Sequence, residues 1–116
     1  MTGATPKFPL AFYKSAAGRE PVREWLWELP DEDCQAIGLD LMRAQFRWPF
    51  GRPLWRPMGQ VLFEIRSRLP SSRIARVLIC QIDTRLVALH GFIKKTQATP
   101  KADLDLALQR MKELQQ

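Results

Sequence analysis

Residues 86–100 of the chain read LVALHGFIKKTQATP. The four apolar residues 86–89 predict a strand in the interior of a sheet, because buried strands appear as short continuous apolar runs. This run leads into the single histidine of the chain, His90, and then into Lys94 and Lys95. A strand end is a place where a rigid scaffold holds charged groups at the mouth of a cleft. The stretch therefore predicts a site for an anionic ligand beside a buried strand.

Helices are predicted on both sides of the chain's centre. Pro21 suits the first turn of a helix, and the residues that follow it have the i, i+3, i+4, i+7 spacing of a buried stripe, as in Val22, Trp25, Leu26 and Leu29. Pro30 ends that helix, and Asp31 is predicted to cap a second one. A last amphipathic helix is predicted after Thr99 as its cap and Pro100 in its first turn.

Strands are predicted at residues 8–14, 61–66, 74–81 and 86–92. Residues 61–66 alternate apolar and polar side chains, the period of a half-buried strand. The predicted order is β-α-α-β-β-β-α. Because the last three strands are joined by short turns, we expect an α+β fold with a small, mainly antiparallel sheet and the helices packed on one face.

The length of 116 residues is enough for one packed core, so we expect a single domain over residues 1–116. No apolar run reaches the roughly 20 residues that cross a bilayer, and the N-terminus lacks the apolar core of a signal peptide. We therefore expect a cytoplasmic protein.

Cys34 and Cys80 are too few for a disulfide framework, and with one histidine they do not make a zinc site. We expect reduced, buried thiols, no metal and no cofactor.

The net charge of +6 is unevenly distributed. Residues 43–76 contain eight arginines and a single acid, Glu64. Guanidinium groups bind phosphate in a bidentate manner, so this arginine density favours nucleic acid over a membrane surface. A basic surface that keeps the protein soluble, or that binds an acidic partner, would explain the same charge. Trp48 and Trp55 flank the irregular Pro-rich connection in this region, where they could stack on bases or cover the edge of the core.

Arg66 and Arg76 are predicted on neighbouring strands, and the turn between them decides whether they share a face. If Arg68 pairs with Arg73, Arg66 opposes Ala75 and faces away from Arg76. A pairing one residue further along places Arg66 directly opposite Arg76. Like charges in that position destabilise a sheet, so the second register makes sense only if an anion lies between them.

Three segments together resemble a known family. They are MGQVLFEIR at 58–66, ARVLI at 75–79 and LVALHGFIKKTQATPKADLDLALQRM at 86–111. The chain is similar to the RelE/ParE toxin superfamily, and within it to the HigB-like, phage-derived branch. The portion from His90 to Pro100 is the specific part of the match. The resemblance implies the toxin of a type II toxin–antitoxin system, neutralised by an antitoxin that usually carries a helix-turn-helix.

The resemblance also implies an activity. Such toxins cleave mRNA on the ribosome without a metal, by attack of the RNA 2′-hydroxyl on its own phosphate to give a 2′,3′-cyclic end. By position, Arg66 and Arg76 would hold the phosphate, and Lys94 or Lys95 would position the backbone or assist proton transfer. The surrounding basic region, which includes Trp55, Arg56, Arg68 and Arg73, would bind RNA.

The general base is left open by the resemblance. The aromatic residues expected around Arg76 are Ala75 and Ile79 here, and the single tyrosine, Tyr13, is far away in sequence. Glu64, His90 and a lysine with a lowered pKa are the remaining candidates, because the reaction needs a base near the 2′-oxygen. Two other functions stay open: a ParE-like, non-nucleolytic toxin that inhibits DNA gyrase, and a non-toxic module that binds nucleic acid through its basic patch.

Overall fold

A computed structural model describes residues 8–48, 62–95 and 97–115, and the backbone alone of 52–55. The predicted order of elements is confirmed, with one strand added. The elements are β1 (Leu10–Phe12), α1 (Pro21–Trp27), α2 (Asp31–Arg47), β2 (Arg52–Trp55), β3 (Leu62–Arg68), β4 (Ile74–Ile82), β5 (Arg85–Ile93) and α3 (Lys101–Leu114). The added strand, β2, lies within the connection that was predicted to be irregular.

The described strands form one sheet in the order β1-β5-β4-β3-β2. β3, β4 and β5 make the predicted antiparallel meander, and β2 pairs antiparallel with β3. β1 pairs in parallel with β5, where Leu10 lies opposite Leu86. This places β5 between two neighbours in the interior of the sheet, and residues 86–89 are all buried. The α+β fold class and the buried strand predicted from residues 86–89 are confirmed.

The helices lie on both faces of the sheet, so the prediction that they share one face is wrong. One core cluster joins α1 and α2 to strand residues that include Ile65, Val77 and Ile79. A second cluster joins α3, through Ala107 and Met111, to the alternate strand residues. Because successive side chains of a strand point to opposite faces, the two clusters lie on opposite sides. We call the side covered by the last helix the α3 face.

The apolar stripes of the helices are confirmed, but two of the predicted caps are wrong. Val22 and Leu26 of α1 are buried, as are Ile37, Leu41 and Ala44 of α2 and Ala107 and Met111 of α3. Pro30 and Pro100 occupy the N-cap positions of α2 and α3, and neither helix has a side-chain cap. Asp31 is instead the first residue of α2. Thr99 lies before the cap of α3, and its hydroxyl donates to Glu64.

An irregularity in β5 changes the face on which His90 lies. Leu78 pairs with His90, but the next residue, Ile79, pairs with Ala88, so Leu89 is the extra residue of a bulge. The period of two by itself would place His90 on the side of Leu86 and Ala88. A bulge reverses that alternation, and His90 contacts Asp103 of α3 instead. His90 therefore lies on the α3 face.

The glycine of the His-Gly-Phe sequence is required by packing. A Cβ atom at Gly91 would lie 2.4 Å from Cζ3 and 2.5 Å from Cε3 of Trp25 in α1. Because overpacking forces side chains or backbone to shift, we expect Gly91→Ala to lower the free energy of unfolding by about 1–3 kcal/mol. Urea denaturation measures this change.

Gly38 provides a matched control for that substitution. It lies inside α2 and a Cβ atom there would have no neighbour within 4 Å. Gly38→Ala should therefore raise stability by about 0.5–1 kcal/mol, since glycine is unfavourable within a helix. Shortening Trp25 to leucine in the Gly91→Ala background should reduce the loss. Equal stability of Gly91→Ala and the parent chain would contradict the packing argument.

Candidate nucleic-acid interface

The end of β3, the start of β4 and the end of β5 lie side by side, and we call this region the basic end of the sheet. The register places Arg66 directly opposite Arg76, and Arg76 opposite Phe92. Two pairs further on, the backbone amide of Lys94 donates to the carbonyl of Ile74 at 2.7 Å. Of the two registers considered for Arg66 and Arg76, the one that makes them direct neighbours is confirmed.

The two opposed arginines have different environments. Arg66 is exposed, whereas the side chain of Arg76 is only 3% exposed. Arg76 donates to the backbone carbonyl of Gln97 at 2.8 Å and to the hydroxyl of Thr99 at 3.3 Å. Its Nε lies 3.4 Å from Oε1 of Glu64, which is itself buried. Arg76 therefore binds protein groups, and Arg66 is the member of the pair that faces solvent.

Glu64 and Arg76 together fix the connection between β5 and α3. The Thr99 hydroxyl donates to Glu64 at 3.1 Å and accepts from Arg76, while Gln97 accepts from the same guanidinium. Four polar groups of the sheet and the connection thus bind one another, and Nε of Arg76 is left with the ion pair to Glu64 and no hydrogen bond to the described residues. Such a network favours a single arrangement of Gln97 and Thr99. The chain is therefore tied to the sheet just before α3 begins.

His90 forms a hydrogen-bonded pair with Asp103 in the first turn of α3. The distance from Nε2 to Oδ1 is 2.6 Å, and the side chains are 17% and 26% exposed. The imidazole also stacks on Phe92, with ring centroids 5.5 Å apart. With a hydrogen on Nε2 that it donates to Asp103, a neutral His90 keeps its lone pair on Nδ1. In catalytic histidines a carboxylate likewise orients the imidazole through one ring nitrogen and leaves the other nitrogen to accept a proton.

A cleft of about 740 Å³ opens at the basic end. Its described lining includes Arg73 from the turn before β4, Lys94 and Lys95 after β5, and Gln97 from the connection to α3. Lys95 is exposed. Arg68 of β3, whose partner on β4 is Ile74, is exposed as well. Arg73, Lys94 and Lys95 therefore share one concave surface whose positive charge suits a phosphate backbone.

A buried carboxylate of α2 holds the turn between β3 and β4. Asp33 is 1% exposed, and it accepts hydrogen bonds from the Ser71 hydroxyl at 2.8 Å and from Arg73 at 3.1 Å. Burial raises the pKa of Asp33, but the hydrogen bonds from Ser71 and Arg73 outweigh that effect and leave the pKa below its ordinary value. The carboxylate is therefore charged, and it positions Arg73 at the rim of the cleft.

Residues 24–112 match the model of a family described as Phage derived protein Gp49-like (DUF891). The chain belongs to this family. The Gp49-like family is a RelE/HigB-like toxin family. A search of curated proteins finds no match. The matched range contains the basic end of the sheet and the His90–Asp103 pair but not β1. Among the described helices, none is long and apolar enough to span a membrane.

The structure of this Gp49-like protein separates the predicted site residues into three groups. Arg73, Lys94 and Lys95 line the cleft, with exposed Arg66 and Arg68 on the adjacent strand. Glu64 and Arg76 are joined in the buried ion pair. His90 forms its own pair with Asp103. Arg56 and the side chain of Trp55 lie outside the described residues.

Two residues of the candidate site, Asp33 and Asp103, were missed by sequence reasoning. The sequence contains one indication of Asp103. It is an acid in the first turn of α3, which closely follows the strand that carries His90. Asp33 and Ser71 are 38 residues apart in sequence, so no local sequence pattern predicts their contact.

Proposed function

We propose that this protein is the toxin of a type II toxin–antitoxin system and acts as a metal-independent endoribonuclease on ribosome-bound mRNA. Membership of a RelE/HigB-like toxin family supports the first part and suggests an antitoxin partner. The observation that carries the second part is a cleft lined by Arg73, Lys94 and Lys95 at the end of β5, the strand that also carries the hydrogen-bonded histidine of the His90–Asp103 pair. Phosphate binding and a proton acceptor are the two requirements of cleavage by the RNA's own 2′-hydroxyl.

In this proposal His90 removes the proton of the 2′-hydroxyl, and Asp103 is the positioning residue that orients the imidazole. The 2′-oxygen then forms a bond to phosphorus while the bond from phosphorus to the 5′-oxygen breaks. This leaves a 2′,3′-cyclic phosphate and a 5′-hydroxyl. Arg66 and Lys95 stabilise the negative charge on the phosphorane, and Lys94 or Lys95 protonates the departing oxygen. Arg68 and Arg73 hold the neighbouring phosphates of the strand.

Glu64 is a weaker candidate for the base than His90. Its carboxylate is 3% exposed and lies against Arg76, so a 2′-hydroxyl would reach it only after the 97–99 connection had moved. Arg76 is expected to act through that connection, as a positioning residue for Lys95, and not by direct contact with phosphate.

Expression of the chain in cells, followed by mapping of mRNA 5′ ends, tests the proposal. We expect new 5′-hydroxyl ends within coding regions, partnered by 2′,3′-cyclic phosphates, and the same ends when the purified protein is added to ribosomes programmed with mRNA. Arg66→Ala should reduce the cleavage rate by about a hundredfold, since one lost donor to a developing charge costs roughly that much.

Arg19→Ala is the matched control for Arg66→Ala. Arg19 is 72% exposed and pairs with Glu24 near the start of α1, so its removal should leave cleavage unchanged. Uncut mRNA during growth arrest, or a cleavage rate insensitive to Arg66→Ala, would contradict the nuclease assignment.

A second candidate is a ParE-like toxin that inhibits DNA gyrase by binding alone. The observation that favours it is the burial of Glu64 and Arg76 in an ion pair, which removes two residues from the set that the RelE-like resemblance assigns to catalysis. A supercoiling assay separates the two functions, because a nuclease acting on mRNA should leave gyrase activity untouched.

A further inference from the structure

β1 is an edge strand whose outer side is only partly paired. The carbonyl of Pro9 accepts from Leu86, and the amide of Tyr13 donates to Ala88, both at 2.9 Å. Since alternate residues of a strand direct their backbone groups the same way, Leu10 and Phe12 direct theirs away from β5. The amide of Leu10 donates to the side chain of Gln45 at 3.0 Å. None of the described residues bonds to the carbonyl of Leu10 or to the amide and carbonyl of Phe12.

A groove of about 520 Å³ follows this free edge. All five residues from Leu10 to Lys14 line it, together with residues from α1, the start of β5 and the end of α3. Phe12, Val87 and Leu114 supply apolar surface. An exposed edge with an apolar groove beside it is the arrangement that binds an extended peptide by strand addition: backbone hydrogen bonds hold the peptide, and its side chains enter the groove.

The charges of the groove select the peptide. Its lining contains three cations, Lys14, Arg23 and Arg85, and one acid, Glu20. Glu20 is already paired with Arg23 at 3.1 Å, and the nearby Glu113 accepts a hydrogen bond from Tyr13. The side chains of Lys14 and Arg85 are exposed and pair with none of the described residues. Two uncompensated cations beside a free strand edge favour a partner that carries carboxylates.

We propose that the outer edge of β1 binds an extended, acidic segment of a partner protein, which adds to the sheet as a sixth strand beside Phe12. Along β5 the site lies about 13–20 Å from the basic end, because Ala88, the partner of Phe12, precedes Phe92 and Lys94 on a strand that rises about 3.3 Å per residue. It does not depend on the proposed nuclease activity. β1 is outside the residues that match the family model.

Two other occupants fit the charges less well. The seven residues before Phe8 contain no acid and one lysine, so they do not complement Lys14 and Arg85. A second copy of the chain, paired through its own β1, would bring the same cations face to face, and like charges across a strand pair are destabilising. A strand with carboxylates is the occupant that the groove favours.

An array of immobilised seven-residue peptides tests the inference with the full chain. One set alternates glutamate with valine or leucine, and the matched set has lysine in place of glutamate. We expect binding to the acidic set only. The double variant Lys14→Glu with Arg85→Glu should weaken it about tenfold or more, since two exposed charge contacts become repulsive. Lys101→Glu, which changes an exposed lysine at the end of α3 opposite to Leu114, should have no effect.

Amide hydrogen exchange measured by NMR locates the bound peptide. The amide of Phe12 should exchange fast in the free protein and slow when an acidic peptide is added, whereas that of Tyr13, already bonded to Ala88, should be slow throughout. Binding of the lysine set to the same extent, or no binding at all, would overturn the inference. So would a Phe12 amide that is protected without peptide, or one that stays fast when peptide is bound.

Discussion

Arg76→Met is expected to lower the free energy of unfolding by about 3–5 kcal/mol, the usual cost of removing one partner from a buried ion pair. The substitution would leave the Glu64 carboxylate 3% exposed and without its cation. It would also remove the donors that Gln97 and Thr99 accept from. Urea denaturation followed by circular dichroism measures the change, and the connection at 97–99 should become more susceptible to proteolysis.

The sheet itself provides the matched control. Arg66 lies directly opposite Arg76 and on the same face, but it is exposed. Arg66→Met should change stability by less than about 0.5 kcal/mol, as exposed substitutions usually do. Combining Glu64→Met with Arg76→Met should recover most of the loss, because a buried pair can be replaced by apolar side chains of similar size. A double variant no more stable than Arg76→Met alone would contradict this account.

This pair also marks the limit of what the sequence predicts. One of the two registers considered from the turn places Arg66 opposite Arg76, and that register is the one observed. The sequence of the turn does not indicate which of the two arginines becomes buried. That outcome depends on Glu64 and on the connection at 97–99, which reaches the sheet from 21 residues further along the chain. Patterns of two or 3.6 residues carry no information about such a contact.

The strands and helices themselves were largely predictable because their signals are local. Pro21, Pro30 and Pro100 mark helix boundaries, and the apolar run at 86–89 marks the central strand. β1 was predicted at residues 8–14 and observed as Leu10–Phe12, but its parallel partner β5 lies more than 70 residues away in sequence. The bulge at Leu89 could not be predicted from the sequence either. One extra residue places His90 on the other side of the strand without any change in composition.

His90→Asn is expected to reduce the rate of mRNA cleavage by about 10²–10⁴-fold, the range that a positioned base contributes. The amide can still reach Asp103 but cannot accept the 2′-hydroxyl proton. Because the side chain is 17% exposed and lies at the sheet surface, the variant should fold, which thermal unfolding would verify. Single-turnover cleavage on programmed ribosomes isolates the chemical step from binding.

Asp103→Asn tests how much the cleavage rate depends on the carboxylate that orients the His90 imidazole. Asparagine retains an oxygen that accepts from Nε2, but it lacks the charge that stabilises the imidazolium formed when His90 takes a proton. Asp103→Asn should therefore lower the cleavage rate, but by less than His90→Asn does. Because the two residues act as one unit, the double variant should cleave no more slowly than His90→Asn alone. Additive losses, or a His90→Asn variant that cleaves at the parent rate, would place the base elsewhere. Glu64 and a lysine would then be the remaining candidates for the base, and the connection over Arg76 would have to open before Glu64 could act.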